Sequence, residues 1–179
     1  VVDLKGISEL AKDNNIITII DNTFASPVNQ NPIPLGIDIV IHSATKYLGG
    51  HSDILAGSVS SSKKNMESVF SVGKSLGGNL SDYTVWLLER SLKTLFVRVA
   101  EQNKNANELA HHLQNHDCIN KVFYPGLENS IYYNLAKNQM NDYTGMLSFE
   151  INKLISREIF ESNLKLIQPR SEEHTSELQ

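Results

Sequence analysis

The sequence predicts an α/β protein, with a mostly parallel sheet followed by the start of a smaller α+β domain. Three observations carry that expectation. Two short β-branched runs, IITII at 16–20 and IDIVIH at 37–42, read as strands buried on both faces. More than a dozen loop-like residues separate them, which suits parallel neighbours better than a hairpin. Beyond residue 62 the pattern turns mainly helical, and strand-like runs return only at 119–124 and 145–151.

Each element has a local reason. DLKGISELAKD at 3–13 places Leu4, Ile7, Leu10 and Ala11 on one helical stripe, with Asp3 as N-cap and Asn14–Asn15 as the stop. The first strand ends on Asp21. Pro27, Pro32 and Pro34 then mark 22–36 as loop, before a second strand that ends at Ser43. ILAGSVSS at 54–61 reads as a third strand, with Gly57 permitting a close backbone approach. A short helix follows and ends near Gly77–Gly78. From about 81 to 116 a helical period starts at a Ser81 or Asp82 cap and keeps Leu88, Leu92, Leu95, Val99, Asn103 and Ala106 on one stripe, with a kink expected near 100–103. Trp86 and its neighbouring leucines read as core. INKVFY at 119–124 is a strand closed by Pro125–Gly126, GMLSFEI at 145–151 is a strand covered on one face, and ISREIFESNL is a helix.

The chain has 179 residues, of which 40% are hydrophobic, enough for one full core or somewhat more. A net charge of −4 without any basic run argues against a nucleic-acid surface. Cys118 is the single cysteine, so no internal disulfide framework exists, which suits a reducing cytoplasm. No apolar run reaches the roughly 18 residues of a membrane span. A start at Val1 suggests a fragment. RSEEHTSELQ at 170–179 breaks the apolar rhythm and resembles the translation of a sequencing-library adapter, so native sequence is expected to stop at Pro169.

The stretch IHSATKYLGGHSD, 41–53, carries the chemistry. In open α/β sheets, ligands sit beyond the carboxyl ends of the strands. Asp21 ends one strand, and Ser43, Thr45 and Lys46 lie at or just past the end of the next, so neighbouring strands would direct all four into one crevice. Singly, each has an ordinary explanation: Asp21 as a strand-end cap, Lys46 as a solvated lysine, Ser43 and Thr45 as turn formers. Together, the hydroxyls can cradle a phosphate, and the lysine can act as a partly desolvated nucleophile. The carboxylate can hold a protonated ring nitrogen. That combination describes a pyridoxal phosphate site, while the nucleotide P-loop spacing is absent. His112 and His116 stand one turn apart without a third ligand and read as a solvated helix face with His111; His42 and His51 read as packing or turn residues.

IIDNTFASPVNQNPIPLGIDIVIHSATKYLGGHSDILAGSV closely resembles the transsulfuration family of pyridoxal phosphate enzymes, and the likeness continues through WLLERSLKTLFVRV, KVFYPGL and GMLSFEI. The family comprises cystathionine γ-synthase, the cystathionine lyases, methionine γ-lyase and O-acetylhomoserine sulfhydrylases. The resemblance implies the fold-type I architecture, with a partial cofactor-binding domain over 1–100 and a linking helix plus partial C-terminal domain over 101–169. It implies pyridoxal 5'-phosphate as cofactor, with Lys46 in the internal aldimine and Asp21 on the pyridinium nitrogen. Ser43 and Thr45 are then phosphate contacts. It further implies β- or γ-elimination or γ-replacement on amino acids of the cystathionine, homoserine-ester or cysteine type, general similarity leaning to γ-chemistry, in a cytoplasmic homotetramer. The remaining cofactor and substrate contacts are expected upstream of Val1 and downstream of Pro169, so the isolated chain is expected neither to fold cooperatively nor to turn over. The competing readings are a non-catalytic relative kept as a scaffold or binding module, and a phosphate-binding protein without covalent chemistry.

Overall fold

The computed structural model describes residues 1–167; the expected adapter segment, 170–179, lies outside them. Helix α1 (Leu4–Asp13) begins where the Asp3 carboxylate accepts the Gly6 N–H at 3.0 Å. Its buried stripe is Leu4, Ser8 and Ala11, whereas Ile7 and Leu10 are exposed. The stripe is rotated from the expected one because Ser8 donates its hydroxyl to the Gly36 carbonyl at 2.9 Å. Gly36 has φ +96°, and a Cβ there would collide with Ser8.

Strand β1 (Ile19–Asp21) pairs in parallel with β2 (Ile39–Ser43), Asp21 opposite Ile41. The parallel pairing agrees with the sequence expectation. Strand β3 (Gly57–Ser61) pairs with β2 antiparallel, so among the described residues this sheet is mixed, in the order β1-β2-β3. The expectation that the first strand is buried on both faces fails. Ile16, Ile17 and Ile19 are 61%, 63% and 61% exposed, and only Thr18 and the half-buried Ile20 turn inward. The physical reason is that one face of the sheet has no layer over it among the described residues. Strand β2, paired on both sides, likewise buries Val40 and His42 while Ile41 is exposed and Ile39 is half-buried, so the same expectation fails for β2. The Asp38 carboxylate fixes the start of the pair by accepting both the N–H and the hydroxyl of Thr18 at 2.8 Å.

The loop expected over 22–36 contains two short helical turns, α2 (Ser26–Asn29) and a 3₁₀ turn at Ile33–Leu35. Past β3, α3 (Lys63–Leu76) is capped by Ser62 and ends at Gly77, in the left-handed conformation at φ +75°. Helix α4 (Asp82–Leu92) starts at the Ser81 cap, and α5 (Leu95–Gln114) follows at once. The break therefore falls at Lys93–Thr94, not at 100–103, where α5 is continuous. Arg98 stabilises it there: its guanidinium donates to the Ser91 carbonyl at 3.0 Å and to the Thr94 hydroxyl at 3.1 Å. Trp86 is not core. It is 55% exposed and stacks on Tyr83.

The chain closes with β4 (Ile119–Phe123), α6 (Tyr133–Gln139), β5 (Ser148–Ile151) and α7 (Arg157–Ser162), β4 and β5 forming an antiparallel pair. Three apolar clusters hold these parts. Leu4, Ile37 and Val40 join α1 to β2; Ala44, Leu48, Leu95 and Val99 join the segment after β2 to α5; Ala106, Ala110, Tyr124 and Leu127 join α5 to the β4–β5 pair. Leu95, Val99, Asn103, Ala106 and Ala110 are the buried face of α5, at the three- and four-residue spacing of one helix side. One helix thus serves two clusters, and residue 100 falls inside it.

Candidate active site

The parallel β1–β2 register brings Asp21 and Ser43 to the same end of the sheet. Thr23 ties them together. Its hydroxyl donates to Asp21 Oδ1 at 2.5 Å, its N–H donates to the same oxygen at 2.9 Å, and its Oγ1 accepts the Ser43 N–H at 2.7 Å. Those two bonds, the hydroxyl's first, hold the Asp21 carboxyl below the usual carboxylate range; slight burial opposes them and nearby His42 reinforces them. Asp21 is therefore an anion at neutral pH, with an exposed carboxylate.

After Ser43 the chain turns tightly. The Lys46 N–H donates to the Ser43 carbonyl at 3.1 Å, and the Gly49 and Gly50 N–H groups donate to the Ala44 and Lys46 carbonyls, each at 2.7 Å. Both glycines are required. A Cβ on Gly49 would lie 2.8 Å from the Ala44 oxygen, and Gly50 has φ +72° with the Arg98 guanidinium where its Cβ would be. Arg98 Nη1 donates to the Tyr47 carbonyl at 2.9 Å, anchoring this turn to α5.

Of the four residues expected to share one crevice, three do. Asp21, Ser43 and Lys46 line a cavity of about 440 Å³ with Asn22, Thr23 and Phe24. Thr45 lies in an adjoining cavity of about 950 Å³, lined also by Lys46, Tyr47, Thr84, Gln102 and Gly145. Lys46 and Phe24 belong to both. The Thr45 hydroxyl is held locally, accepting the Ala56 N–H at 3.0 Å. Lys46 is exposed, so the described residues alone do not desolvate it. A carboxylate held anionic, a hydroxyl and an amine around one cavity match the donor set of a pyridoxal phosphate ring, and the residues present fit that group.

Sequence reasoning passed over Thr23, Asn22 and Gln102. A threonine two residues after a strand-end aspartate is a recognisable turn signal, and could have indicated Thr23. Gln102 gave no signal, because it reaches the second cavity from a distant helix; its buried Oε1 has no hydrogen-bond partner among the described residues. His42 is buried, with Nε2 3.2 Å from Asn22 Nδ2; burial lowers its pKa and Asp21 partly offsets this. His51 Nδ1 lies 2.7 Å from the Gly49 carbonyl, a turn role. The His112 and His116 rings meet edge-on at 6.1 Å, and no group of three metal-ligating side chains occurs among the described residues. No helix among them is long and apolar enough to cross a membrane.

Comparison with known proteins extends the geometry. The family described as "Cys/Met metabolism PLP-dependent enzyme" matches residues 1–171. A cystathionine β-lyase of Lactococcus lactis is 43% identical over 165 residues, covering 92% of this chain and 43% of its own length. A cystathionine γ-lyase of Bacillus subtilis is 42% identical over 167 residues, covering 93% of this chain and 44% of its own. The crystal structure of cystathionine γ-lyase from Lactobacillus plantarum, complexed with L-serine, superposes with a TM-score of 0.92 at 37% identity, over 96% of this chain and 45% of that one. The chain thus spans less than half the length of these relatives.

Proposed function

The chain belongs to the Cys/Met metabolism PLP-dependent enzymes, a family of fold-type I, and from that premise we propose that the full-length protein is a lyase or transferase of cysteine and methionine metabolism. Its reaction on this reading is β- or γ-elimination, or γ-replacement, on amino acids of the cystathionine, homoserine-ester or cysteine type. The observation that carries the reading is the convergence of Asp21, Ser43 and Lys46 on one cavity, with Lys46 also lining the next.

When bound, pyridoxal phosphate supplies an electron sink for a deprotonated substrate carbon. The chain's own residues do the rest. Asp21, kept anionic by Thr23, would pair with the cofactor's ring nitrogen and favour its protonated form. The Ser43 and Thr45 hydroxyls are hydrogen-bonding groups for the phosphate. Lys46 anchors the cofactor through its amine and, once released, moves protons between substrate carbons as base and then acid. Its place between the two cavities supports that double role, since its amine borders both the Asp21–Ser43 cavity and the Thr45 cavity.

A homotetramer working in the cytoplasm belongs to the same reading. The exposed apolar side chains of Ile16, Ile17, Ile19, Phe96 and Val97 support burial against further polypeptide, and the single Cys118 suits a reducing compartment.

The test is the full-length protein with Lys46→Ala beside it. The wild type should show the visible absorbance of bound pyridoxal phosphate and the variant should lose it. Absence of that band from both would leave the scaffold reading. Cystathionine then separates the reactions: β-elimination yields pyruvate, homocysteine and ammonia, and γ-elimination yields 2-oxobutyrate, cysteine and ammonia. A homoserine ester with cysteine yields cystathionine by γ-replacement.

A further inference from the structure

A directed chain of amide hydrogen bonds ends on His42. Its remote end is set by backbone groups: Gln139 Oε1 accepts the Leu4 N–H at 2.9 Å, and Gln139 Nε2 donates to the Val2 carbonyl at 3.0 Å. A backbone N–H only donates and a carbonyl only accepts, so the Gln139 amide has one orientation. Its Nε2 also donates to Gln30 Oε1 at 2.9 Å, which turns Gln30 Nε2 towards Asn22 Oδ1 at 2.8 Å. Asn22 must then present Nδ2 on its other side. There the backbone carbonyls of Ser26 and Gln30 accept from it at 3.2 and 2.9 Å, a second anchor that requires the same orientation.

Asn22 Nδ2 has two hydrogens for three neighbours: one goes to the Gln30 carbonyl, and the other is shared between the Ser26 carbonyl and His42 Nε2, both 3.2 Å away. An amide nitrogen donates and does not accept, so Nε2 meets this neighbour only with a lone pair, and the proton of the neutral ring sits on Nδ1. Protonating Nε2 would set N–H against N–H and break the chain. The charged group acting on the ring is Asp21, at the end of β1, which favours an imidazolium. Its register partner on β3 is Ser58, and Asn22 faces it from the β1–β2 connection; neither is charged. Without the relay, a histidinium beside Asp21 would neutralise the carboxylate.

We propose that this amide relay makes His42 a positioning residue, held as the neutral Nδ1–H tautomer so that Asp21 keeps its whole charge for the cavity. What that charge serves rests on the cofactor reading above; the tautomer does not.

The experiment uses the full-length protein loaded with pyridoxal 5'-phosphate and follows histidine C2-hydrogen exchange against pH by mass spectrometry. The His42 midpoint should lie below the ordinary imidazole value of about 6.5. In Asn22→Asp, which offers Nε2 an acceptor, it should rise above that value. A wild-type midpoint at or above 6.5, or no rise in the variant, overturns the proposal. Should Asn22→Asp not fold, two substitutions at His42 decide. His42→Gln, whose Oε1 can accept the same N–H and cannot be charged, should keep the wild-type visible cofactor spectrum from about pH 5 to 8. His42→Leu, which has no acceptor, should alter it. Equal behaviour of the two overturns the proposal. Failure of the cofactor reading shows separately, as no visible band in the wild type, while the exchange midpoint is still measured.

Discussion

Thr23 donates to Asp21 through both its hydroxyl and its N–H, at 2.5 and 2.9 Å. Since the same hydroxyl oxygen accepts the Ser43 N–H, one threonine sets the charge of the carboxylate and the position of the neighbouring strand end.

Thr23→Val should therefore do two things. It leaves the Ser43 N–H unpaired, at a cost of about 1–3 kcal/mol at neutral pH. It also lets the Asp21 pKa rise towards the ordinary carboxylate value. A carboxyl with a lowered folded-state pKa adds stability above its unfolded pKa and loses it as pH falls through the folded one. Urea unfolding of full-length wild type and variant should show a stability gap that narrows as pH falls below about 4.

Gly50→Ala should destabilise the full-length protein by on the order of 1–3 kcal/mol, because φ +72° strains any side chain and the Cβ meets the Arg98 guanidinium. Displacing Arg98 also frees the Tyr47 carbonyl that it holds beside Lys46. Loss of visible cofactor absorbance at temperatures where the wild type retains it is the readout.

Asn29 and Asn103 exchange amide hydrogen bonds of 3.0 and 2.7 Å, and Asn103 Nδ2 donates to Asp142 at 3.0 Å. Asn103→Asp replaces that donor by a carboxylate facing Asp142, so burial and like charge raise its folded-state pKa. The substitution should be strongly destabilising at pH 7 and progressively less so as pH falls through about 4 to about 3, where the new carboxyl is protonated in both states. Thermal unfolding at several pH values checks the sign.

His42 makes the fold sensitive to acid, where an ordinary surface histidine with equal folded and unfolded pKa would not. Its folded-state pKa is lowered, chiefly by burial, so below about 6.5 the unfolded chain binds a proton that the folded chain refuses. Stability should fall as pH drops from that value to the folded pKa, and His42→Gln should remove this part of the decline. Denaturant midpoints between about pH 5 and 7 measure it.

The sequence was most legible where backbone chemistry is local. The Asp3, Ser81 and Gly77 helix ends, the β1–β2 pairing and the strand-end places of Asp21 and Ser43 follow from capping residues and β-branched runs. It was least legible where a partner decides. Ile16–Ile20 read as doubly buried because composition records an apolar strand but not whether a layer covers each of its faces. The break at Lys93–Thr94 depends on Arg98 reaching back to Ser91, which no periodicity reports. Helix α6 shows no stripe because Ala136 is its one buried residue. Thr45 lies beside Lys46 in sequence but lines only the second cavity, since its hydroxyl faces Ala56 across the turn.

The 20-residue α5 gives the molecule a rotational phase. With 3.6 residues per turn, a single residue inserted between Val99 and Asn103 would swing everything after it by about 100°. Ala106 and Ala110 would then turn away from Tyr124 and Leu127, while Leu95 and Val99 stayed seated on Ala44 and Leu48. Length variation among related chains is therefore expected in the turns that flank this helix, with the count of residues between its two seats kept constant.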